Sequence, residues 1–404
     1  MMEIIWGITG ILVILIIAFL LSKSKRNINY RTVFGALVLQ FLFGFIVLKW
    51  ELGRSFFRKI TSIVEQIINT SNEGINFLFG GVLGLEGIGT VFAFQVLPVI
   101  IFFSSLISVL FYIGVMQILT RAIGGFLAFM LKTTKQESLS AAANIFVGVT
   151  EAPLVVKPYL EKMTKSELFA VMTGGTASVS GTVLVGYSLL GVPLDYLLAA
   201  AFMAAPAGLL IAKILVPETE TTEEQAIIAE SEKEAKNIVD AASNGALIGL
   251  KLALNIGALL LAFISLIALV NLGLEWISGW FGFEAVTIEQ ILGYAMAPLA
   301  FLIGVPWDEA IQAGSFIGQK FVLNEFVAFS NFGAEINHFS DKTVAVITFA
   351  LCGFANLASM GMLIGGIGGL APSRKNDLVR FAFLAIIGGT LANLLSAAIA
   401  GLLI

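Results

Sequence analysis

The sequence predicts an all-α polytopic membrane protein, and three observations carry that prediction. Of the 404 residues, 58% are hydrophobic and only 12% are charged, and the mean hydropathy is +0.96. Soluble domains carry about 25% charged residues, so this balance is typical of a membrane protein. The chain contains eight apolar stretches long enough to cross a bilayer as helices. It is also rich in glycine, which lets membrane helices pack closely.

The predicted spans are separated by short polar segments. They fall near 4–21, 32–49, 91–119, 166–190, 194–216, 246–274, 343–370 and 379–403. The first stretch lacks a basic leader and a small-residue cleavage site, so we expect a retained helix rather than a signal peptide. Residues 52–72 place apolar side chains at helical spacing among charged ones, which predicts an amphipathic helix on the membrane surface.

Two further apolar regions, near 121–160 and 289–335, are interrupted by polar residues and begin alike. QILTRAIGGFLAFML at 117–131 resembles QILGYAMAPLAFLIG at 290–304. Each region then contains a polar residue followed by a glutamate. The pair is Thr150 and Glu151 in the first region, and Asn324 and Glu325 in the second. The separation of these glutamates along the chain is nearly the same as that of Ser180 and Ser359. These echoes at a near-constant offset predict an internal repeat.

The basic residues predict the orientation of the chain. Most of them can be cytoplasmic together if the N-terminus and the C-terminus both lie outside. The two interrupted regions then enter from opposite faces, so the repeats would be inverted, as in many secondary transporters. We therefore expect a cell-membrane protein with four parts: N-terminal scaffold helices at 1–90, a first repeat at 91–216, an acidic cytoplasmic linker at 217–245 and a second repeat at 246–404.

The segment GVTEAPL at 148–154 predicts a break in a helix at membrane depth. Pro153 lacks a backbone N–H and disfavours helical backbone at Ala152, so the helix through 138–147 should stop around Gly148. Glu151 would then lie near the start of a second short helix. Unpaired backbone groups are tolerated in a bilayer only where they line a cavity. We expect the tip of a re-entrant hairpin, and the alternative is an extramembrane turn with an ordinary glutamate.

The second glutamate has a similar setting, without the proline. Asn324 can cap a new helix and place Glu325 in its first turn. The alternative for Glu325 is a salt bridge with Lys320 or Lys342. The spans that follow the hairpins supply hydroxyls and amides, namely Thr176, Ser178, Ser180, Thr182, Asn356 and Ser359. In membranes such groups often join helices, but beside paired glutamates they favour a polar binding site. Because no arginine lies in this set, a neutral, hydroxyl-rich solute fits better than an anion.

At these residues the chain resembles the concentrative nucleoside transporter family. The resemblance covers nearly the whole chain after residue 30 and is carried by GVTEAPL (148–154), KPYL (157–160), TASVSG (176–181), PETE (217–220), GVPWDEA (304–310), NEFVAF (324–329), LCGFANLASMG (351–361) and GGIGGLAPSR (365–374). It implies a homotrimer in the lipid bilayer. Each protomer would have eight transmembrane helices and two re-entrant hairpins, and would import nucleosides with Na⁺ or H⁺ by an elevator-like movement.

The resemblance also implies roles for individual residues. Thr150 and Glu151 would meet the nucleobase, Glu151 through water, and Val183 would pack on the base. The ribose hydroxyls would be held by the second hairpin, through Asn324 and Glu325, and by Asn356 and Ser359, with Phe354 near the sugar. A coupling Na⁺ would be held by Asn144, Val147, Ser178 and Val179, the set that favours Na⁺ over H⁺ here.

One position departs from the family pattern. Many relatives read GQTEAPL where this chain has Val149. Glutamine hydrogen-bonds the base in relatives that accept pyrimidines, and valine cannot. An unpaired base group costs about 1–3 kcal/mol. We therefore expect a preference for purine nucleosides. Proton coupling with broad or pyrimidine preference is the alternative.

Other classes of function are disfavoured. An intramembrane enzyme would need a nucleophile with a base or a metal cluster, but the chain has one histidine and no HExxH or GxSxG motif. A channel and a carrier of free nucleobases remain as rivals. We expect no enzymatic cofactor and no nucleic-acid partner, since no basic cluster with interleaved aromatic residues is present.

Overall fold

The computed structural model describes residues 2–83, 91–220, 235–280, 282 and 286–404, and the regular secondary structure in these ranges is helical. The helices of the first half are α1 (Met2–Leu20), α2 (Tyr30–Leu48), α3 (Glu51–Leu83), α4 (Phe92–Gln95), α5 (Leu97–Tyr112), α6 (Val115–Leu131), α7 (Lys135–Ala143), α8 (Lys165–Ala177), α9 (Gly181–Ser188) and α10 (Leu194–Leu215). The helices of the second half are α11 (Ile238–Trp280), α12 (Ile288–Leu302), α13 (Trp307–Val322), α14 (Glu325–Glu335), α15 (Asp341–Leu351), α16 (Ser359–Leu370) and α17 (Lys375–Leu403).

The described helices agree with a multi-pass membrane protein. Six continuous or nearly continuous helical segments are long and apolar enough to cross a bilayer: α2, α4 with α5, α8 with α9, α10, α11 and α17. The pair α12 and α13 also passes together but bends by 116°. Of the predicted acidic linker at 217–245, residues 221–234 lie outside the described residues.

Burial separates a central group of helices from a peripheral one. In the apolar windows of α8 with α9, of α10 and of α17, 94%, 89% and 78% of the residues are buried. The corresponding values for α2, α5 and α11 are 28%, 22% and 17%. The central helices therefore meet protein on most sides, whereas the peripheral ones present apolar side chains outward, as lipid-facing helices do.

Two predicted spans are wrong as continuous helices, and a third, 166–190, is interrupted at 178–180 between α8 and α9. Within the predicted stretch 91–119, helix α5 ends at Tyr112. Gly114 adopts a φ of 91°, and a new helix, α6, begins after it. The stretch 343–370 is split, because α15 ends at Leu351 and α16 begins at Ser359. The side chain of Asn393 packs against Gly353 in this gap and leaves no room for a side chain there. Hydropathy is continuous through both breaks, so it could not reveal them.

Other predicted helices are present with different ends. The amphipathic helix expected at 52–72 is confirmed as a helix but continues to Leu83 within α3. The predicted span 246–274 is part of the 43-residue α11. The helix before the first glutamate ends at Ala143 rather than near Gly148. The backbone and side-chain N–H groups of Asn144 both donate to the carbonyl of Ser140, each at 3.0 Å, and the chain turns there before it reaches Pro153.

A buried ion pair fixes the start of the first hairpin, which α7 forms with the 3₁₀ helix at Ala152–Tyr159. The ammonium of Lys213 at the end of α10 lies 2.6 Å from a carboxylate oxygen of Glu137 in the first turn of α7. Lys213 also donates to the hydroxyl of Ser166 in α8 at 3.0 Å. The other oxygen of Glu137 accepts the backbone N–H of Thr134 at 2.8 Å and caps α7. This cluster joins α7, α8 and α10, so the hairpin begins from a fixed point.

Candidate functional site

The gaps in the two broken helices meet inside the molecule. The segment after α8 (178–180) and the segment after α15 (352–358) interrupt otherwise helical stretches. The backbone N–H of Phe354 donates to the carbonyl of Ser178 at 3.1 Å, which joins the two segments directly. Non-helical backbone is stable at membrane depth only where protein or a polar cavity supplies partners. The crossing of the two segments meets that requirement for both.

Each hairpin is held against the broken helix of its own half of the chain by an equivalent hydrogen bond. In the first half the carbonyl of Phe146 accepts the backbone N–H of Gly181 at 3.0 Å. In the second half the carbonyl of Phe321 accepts the backbone N–H of Leu357 at 3.2 Å. The step along the chain from Phe146 to Phe321 nearly equals the step from Gly181 to Leu357, and both are close to the predicted repeat offset. The structure thus brings both hairpin tips to the crossing.

The second hairpin carries a buried carboxylate at its tip. Asn324 caps α14 by accepting the backbone N–H of Val327 at 2.9 Å, so the predicted cap is confirmed. Glu325 is the first residue of that helix and is 5% exposed. One of its oxygens accepts the amide of Asn356 at 2.9 Å, and the other accepts the hydroxyl of Tyr187 at 3.2 Å. A negative charge is favoured at this helix N-terminus.

Asn356 connects this carboxylate to Ser359. Its side-chain oxygen accepts both the backbone N–H of Ser359 at 2.9 Å and the Ser359 hydroxyl at 3.0 Å. Asn356 therefore lies in the gap and caps α16, rather than sharing a helical face with Ser359. Phe354 lies in the same gap and is partly buried. Glu325, Asn356 and Ser359 thus form one connected polar group.

The tip of the first hairpin presents a different surface. A 3₁₀ helix at Ala152–Tyr159 follows Glu151, so the prediction that Glu151 precedes a short helix is confirmed. Glu151 is exposed, whereas Thr150 is partly buried and packs against Gly366 of α16. Val149 is buried against Gly175 of α8. Val183, in the first turn of α9, is also buried.

The residues expected to hold a cation lie just after the C-terminal end of α7, on the way to the tip, and in the gap after α8. The side-chain oxygen of Asn144 is buried and has no hydrogen-bond partner among the described residues. The amide nitrogen of Asn144 lies beside Gly174 of α8, whose carbonyl accepts the hydroxyl of Ser178 at 3.0 Å. Val147 and Val179 follow Asn144 and Ser178 closely in the chain, and their backbone carbonyls are the other ligands that the sequence predicts. Uncharged oxygens suit a hard monovalent cation, and the unpartnered Asn144 oxygen fits such a ligand set.

Three residues at this crossing were missed as site residues by the sequence reasoning. Tyr187 bonds Glu325 and stacks on Phe329, with ring centroids 4.2 Å apart. Lys320 and Asn393 are each 2% exposed and bond one another, with Lys320 Nζ donating to Asn393 Oδ1 at 2.7 Å. The signal available in the sequence was an isolated lysine and an isolated asparagine within apolar helices, which are costly in a membrane unless they have partners.

The structure distinguishes polar residues that join helices from those that lie at the candidate site, and it shows which groups bond Glu325. Thr176 donates to the carbonyl of Ala385 in α17 at 2.9 Å, so it joins helices. Ser180 caps α9 by accepting the backbone N–H of Val183 at 3.4 Å. The ammonium of Lys320 donates to the Ala350 carbonyl and to Asn393, while Glu325 accepts from Tyr187 and Asn356. The carboxylate is therefore held by neutral donors.

Three family models cover most of the chain. Residues 9–82 match the N-terminal model and residues 196–401 the C-terminal model of the Na⁺ dependent nucleoside transporters. Residues 93–194 match a model described as a nucleoside-recognition gate. The two interrupted regions thus fall in the gate and C-terminal models.

Relatives and solved structures agree over the full length. The chain is 55% identical to the uncharacterized transporter YutK of Bacillus subtilis, over 100% of both chains. It is 48% identical to the nucleoside permease NupC of Helicobacter pylori, over 99% of this chain and 98% of the relative. A solved structure of CNTnw in an inward-facing, substrate-bound state shares 51% identity, with a TM-score of 0.95 over 99% of this chain and 98% of that one.

These matches settle the class of the protein. Its fold is the all-helical, membrane-type fold of the solved transporters, and its homologues are transporters rather than enzymes. Cation-coupled nucleoside uptake across a membrane is the activity that the family supports. The chain belongs to the concentrative nucleoside transporter family.

Proposed function

We propose that this protein imports nucleosides together with Na⁺, with a preference for purine nucleosides. The observation that carries the proposal is the group at the crossing of the two broken helices. A buried carboxylate, Glu325, is joined there to Asn356 and Ser359 by hydrogen bonds of 2.9–3.0 Å. Carboxylate, amide and hydroxyl together offer both acceptors and donors, which is what a pair of ribose hydroxyls requires.

The ribose is bound by the second repeat in this proposal. Glu325 accepts a hydrogen bond from one ribose hydroxyl, and Asn356 and Ser359 exchange bonds with the other. Asn324 supports this by capping α14, which fixes the backbone on which Glu325 lies. The partly buried ring of Phe354 packs beside the sugar. Hydrogen bonds to a charged group are worth about 1.5–3 kcal/mol, so Glu325 supplies most of the discrimination for ribose.

The base is bound by the first repeat. The exposed carboxylate of Glu151 is available to a base through water, with Thr150 beside it. Val183 packs on the base from α9. Val149, where relatives have glutamine, offers no hydrogen bond to a pyrimidine. Its burial against Gly175 supports an apolar role at this position.

The coupling ion is Na⁺ and binds between the C-terminal end of α7 and the gap after α8. The buried, unpartnered oxygen of Asn144 supports this site. The hydroxyl of Ser178 and the carbonyls of Val147 and Val179 complete the proposed ligand set. The family description as Na⁺ dependent supports the same ion. Occupation of this site holds the hairpin tip against α8, which links Na⁺ binding to the shape of the nucleoside site.

The larger organisation follows the family pattern. We propose a homotrimer in the cell membrane with both termini outside, eight transmembrane helices per protomer and two re-entrant hairpins, α7 with the following 3₁₀ helix and α13 with α14. Scaffold helices at 1–90 precede two inverted repeats at 91–216 and 246–404, which the linker at 217–245 connects. The repeats carry the bound nucleoside across the membrane in an elevator-like movement.

Uptake into proteoliposomes tests this function. Labelled guanosine is offered with Na⁺ or choline outside, and a panel of nucleosides and free bases competes. We expect accumulation without chemical change, only with Na⁺, and stronger competition by inosine than by uridine or adenine. Uptake unaffected by choline but abolished by a protonophore would replace Na⁺ with H⁺. Equal uptake of uridine and guanosine would refute the purine preference.

A further inference from the structure

Lys320 is a buried cation at the centre of the crossing, and neither the nucleoside site nor the cation site uses it. It lies in the last turn of α13, the first helix of the second hairpin, and is 2% exposed. Its ammonium donates to the carbonyl of Ala350 at 2.8 Å and to the side-chain oxygen of Asn393 at 2.7 Å. A lysine in the interior of a membrane protein is costly and is retained where its charge has a use.

The charge lies where two helices end. Ala350 is in the last turn of α15, and its carbonyl would otherwise lack a partner, as carbonyls at helix C-termini do. Asn393 extends the same bonding to the next carbonyls, because its amide donates to Ala177 O at 2.6 Å and to Cys352 O at 3.0 Å. Ala177 ends α8 and Cys352 follows α15. The negative ends of two helix dipoles therefore converge on one ammonium and one amide.

The repeat relates this position to the proposed Na⁺ site. Ala350 follows Gly174 at the same spacing that separates Leu357 from Gly181 in the paired hairpin contacts. The Gly174 carbonyl accepts the hydroxyl of Ser178, and the Asn144 amide packs against the Cα of Gly174, so both proposed Na⁺ ligands meet at this residue. At the equivalent carbonyl of the second repeat, the side chain that arrives from the hairpin is Lys320.

We propose that the Lys320 ammonium is a tethered cation, which takes in the second repeat the place that Na⁺ takes in the first. The inference rests on the proposed Na⁺ site at Asn144. It makes Lys320 a positioning residue: the ammonium joins α13 to α15 permanently, whereas the equivalent contact in the first repeat forms only when Na⁺ is bound. Only one of the two equivalent positions is then open to an ion from solution. The pair of positions therefore couples a single Na⁺ to each nucleoside.

Na⁺ titrations of nucleoside binding to the purified protein in nanodiscs test the inference, with choline keeping ionic strength constant. For the wild type we expect a Hill coefficient near one. Lys320→Gln removes the charge but leaves an amide oxygen beside the oxygens of Ala350 and Asn393, a set that resembles the Na⁺ ligands of the first repeat. We expect this variant to require a second Na⁺, with a Hill coefficient that rises toward about two and binding that weakens about tenfold at low Na⁺.

Two further variants separate charge from shape. Lys320→Met keeps the length of the side chain but cannot donate a hydrogen bond, so it should lower the midpoint of thermal unfolding by several degrees. It should leave the Hill coefficient of the Na⁺ titration (the Na⁺ slope) near one. Lys320→Arg keeps the charge and should retain a slope near one with a smaller loss of thermal stability. Asn331, in α14 away from the hairpin tip, offers a control: Asn331→Ala removes a partly buried amide contact with Gln319 but should not change the Na⁺ slope.

The outcomes are distinguishable. Lys320→Gln with an unchanged Na⁺ slope, or Lys320→Met as stable as the wild type, would overturn the tethered cation. A wild type that binds nucleoside equally in Na⁺ and choline would overturn the Na⁺ site of the proposed function. In that case the difference in thermal stability between Lys320→Met and Lys320→Arg still reports whether the buried charge is needed. If Lys320→Met yields no folded protein, the slope of Lys320→Gln decides alone.

Discussion

The backbone N–H of Phe354 donates to the carbonyl oxygen of Ser178 at 3.1 Å, and this one bond joins the gaps of two broken helices from different halves of the chain. A helix that stops inside a membrane exposes backbone groups that water cannot reach. Here each gap supplies a partner for the other. The same contact places Ser178, expected at the cation site, beside Phe354, expected at the sugar. The proposed ion and nucleoside sites would therefore share a wall, which gives a physical route for coupling.

Replacing Glu325 with glutamine should abolish efficient uptake. The carboxylate accepts hydrogen bonds from Tyr187 and Asn356, and an amide can accept on only one side. We expect kcat/KM for nucleoside uptake to fall about 10- to 100-fold, because bonds to a charged group are lost. Initial rates in proteoliposomes measure this. Glu335→Gln, at the other end of α14, is the matched control and should transport normally. Normal uptake by Glu325→Gln would contradict the ribose assignment.

Removing the unpartnered oxygen of Asn144 should weaken the response to Na⁺. Asn144→Ala deletes a neutral cation ligand, while the helix C-terminus remains served by the backbone N–H of residue 144. We expect the Na⁺ concentration for half-maximal uptake to rise about tenfold, equivalent to about 1.4 kcal/mol. A Na⁺ titration at saturating nucleoside measures it. An unchanged titration curve would show that the ion binds elsewhere and that Asn144 is not one of its ligands.

Two adjacent glycines in α16 should respond differently to alanine. A Cβ on Gly366 would lie 2.7 Å from Thr150 Cγ2, whereas one on Gly365 would meet open space. Gly366→Ala should displace the first hairpin tip and cost about 1–3 kcal/mol. Gly365→Ala should be neutral or stabilise by up to about 1 kcal/mol, since alanine favours helix. Thermal unfolding and uptake of the two variants measure the difference. Equal behaviour would mean that Thr150 is free to move away from α16.

The buried pair of Lys213 and Glu137 should be costly to break. Lys213→Met leaves the Glu137 carboxylate, 1% exposed, without its cation and should destabilise by about 3–5 kcal/mol. Glu137→Gln should cost less, because Glu218 lies 3.9 Å from the same ammonium. The double variant should recover much of the loss. Asp377→Asn, which breaks the more exposed pair with Arg374, is the control and should cost under about 1 kcal/mol. If the stability loss of the double variant equals the sum of the two single losses in thermal unfolding, Lys213 and Glu137 are not coupled.

Placing glutamine at Val149 should change which nucleoside is preferred. Val149→Gln supplies a donor and an acceptor at the hairpin tip, where the native side chain offers neither. We expect the ratio of uridine to guanosine uptake to rise about tenfold, which corresponds to one gained hydrogen bond. Competition of labelled guanosine by both nucleosides measures the ratio. Val149→Leu keeps the site apolar and should leave the ratio unchanged. If the glutamine variant does likewise, Val149 does not face the base.

The sequence by itself determined the membrane class, and its local patterns predicted the repeat and the two hairpin tips. Composition and the length of apolar stretches are local properties, and they report a lipid environment directly. Asn324 as a helix cap and Glu151 before a short helix were also readable, because capping and proline effects act within a few residues. The spacing of similar motifs did not require any knowledge of contacts.

Only the tertiary structure decided how the polar residues are paired. The gap at 352–358 is invisible in hydropathy, because Asn356 is its one polar side chain and the apolar run continues on both sides of it. Tyr187 and Glu325 are 138 residues apart, and Lys320 and Asn393 are 73 apart. Whether a buried lysine bonds a carboxylate or a helix end depends on which elements cross beside it. That crossing is set by the packing of distant helices, and no local pattern in the chain encodes it.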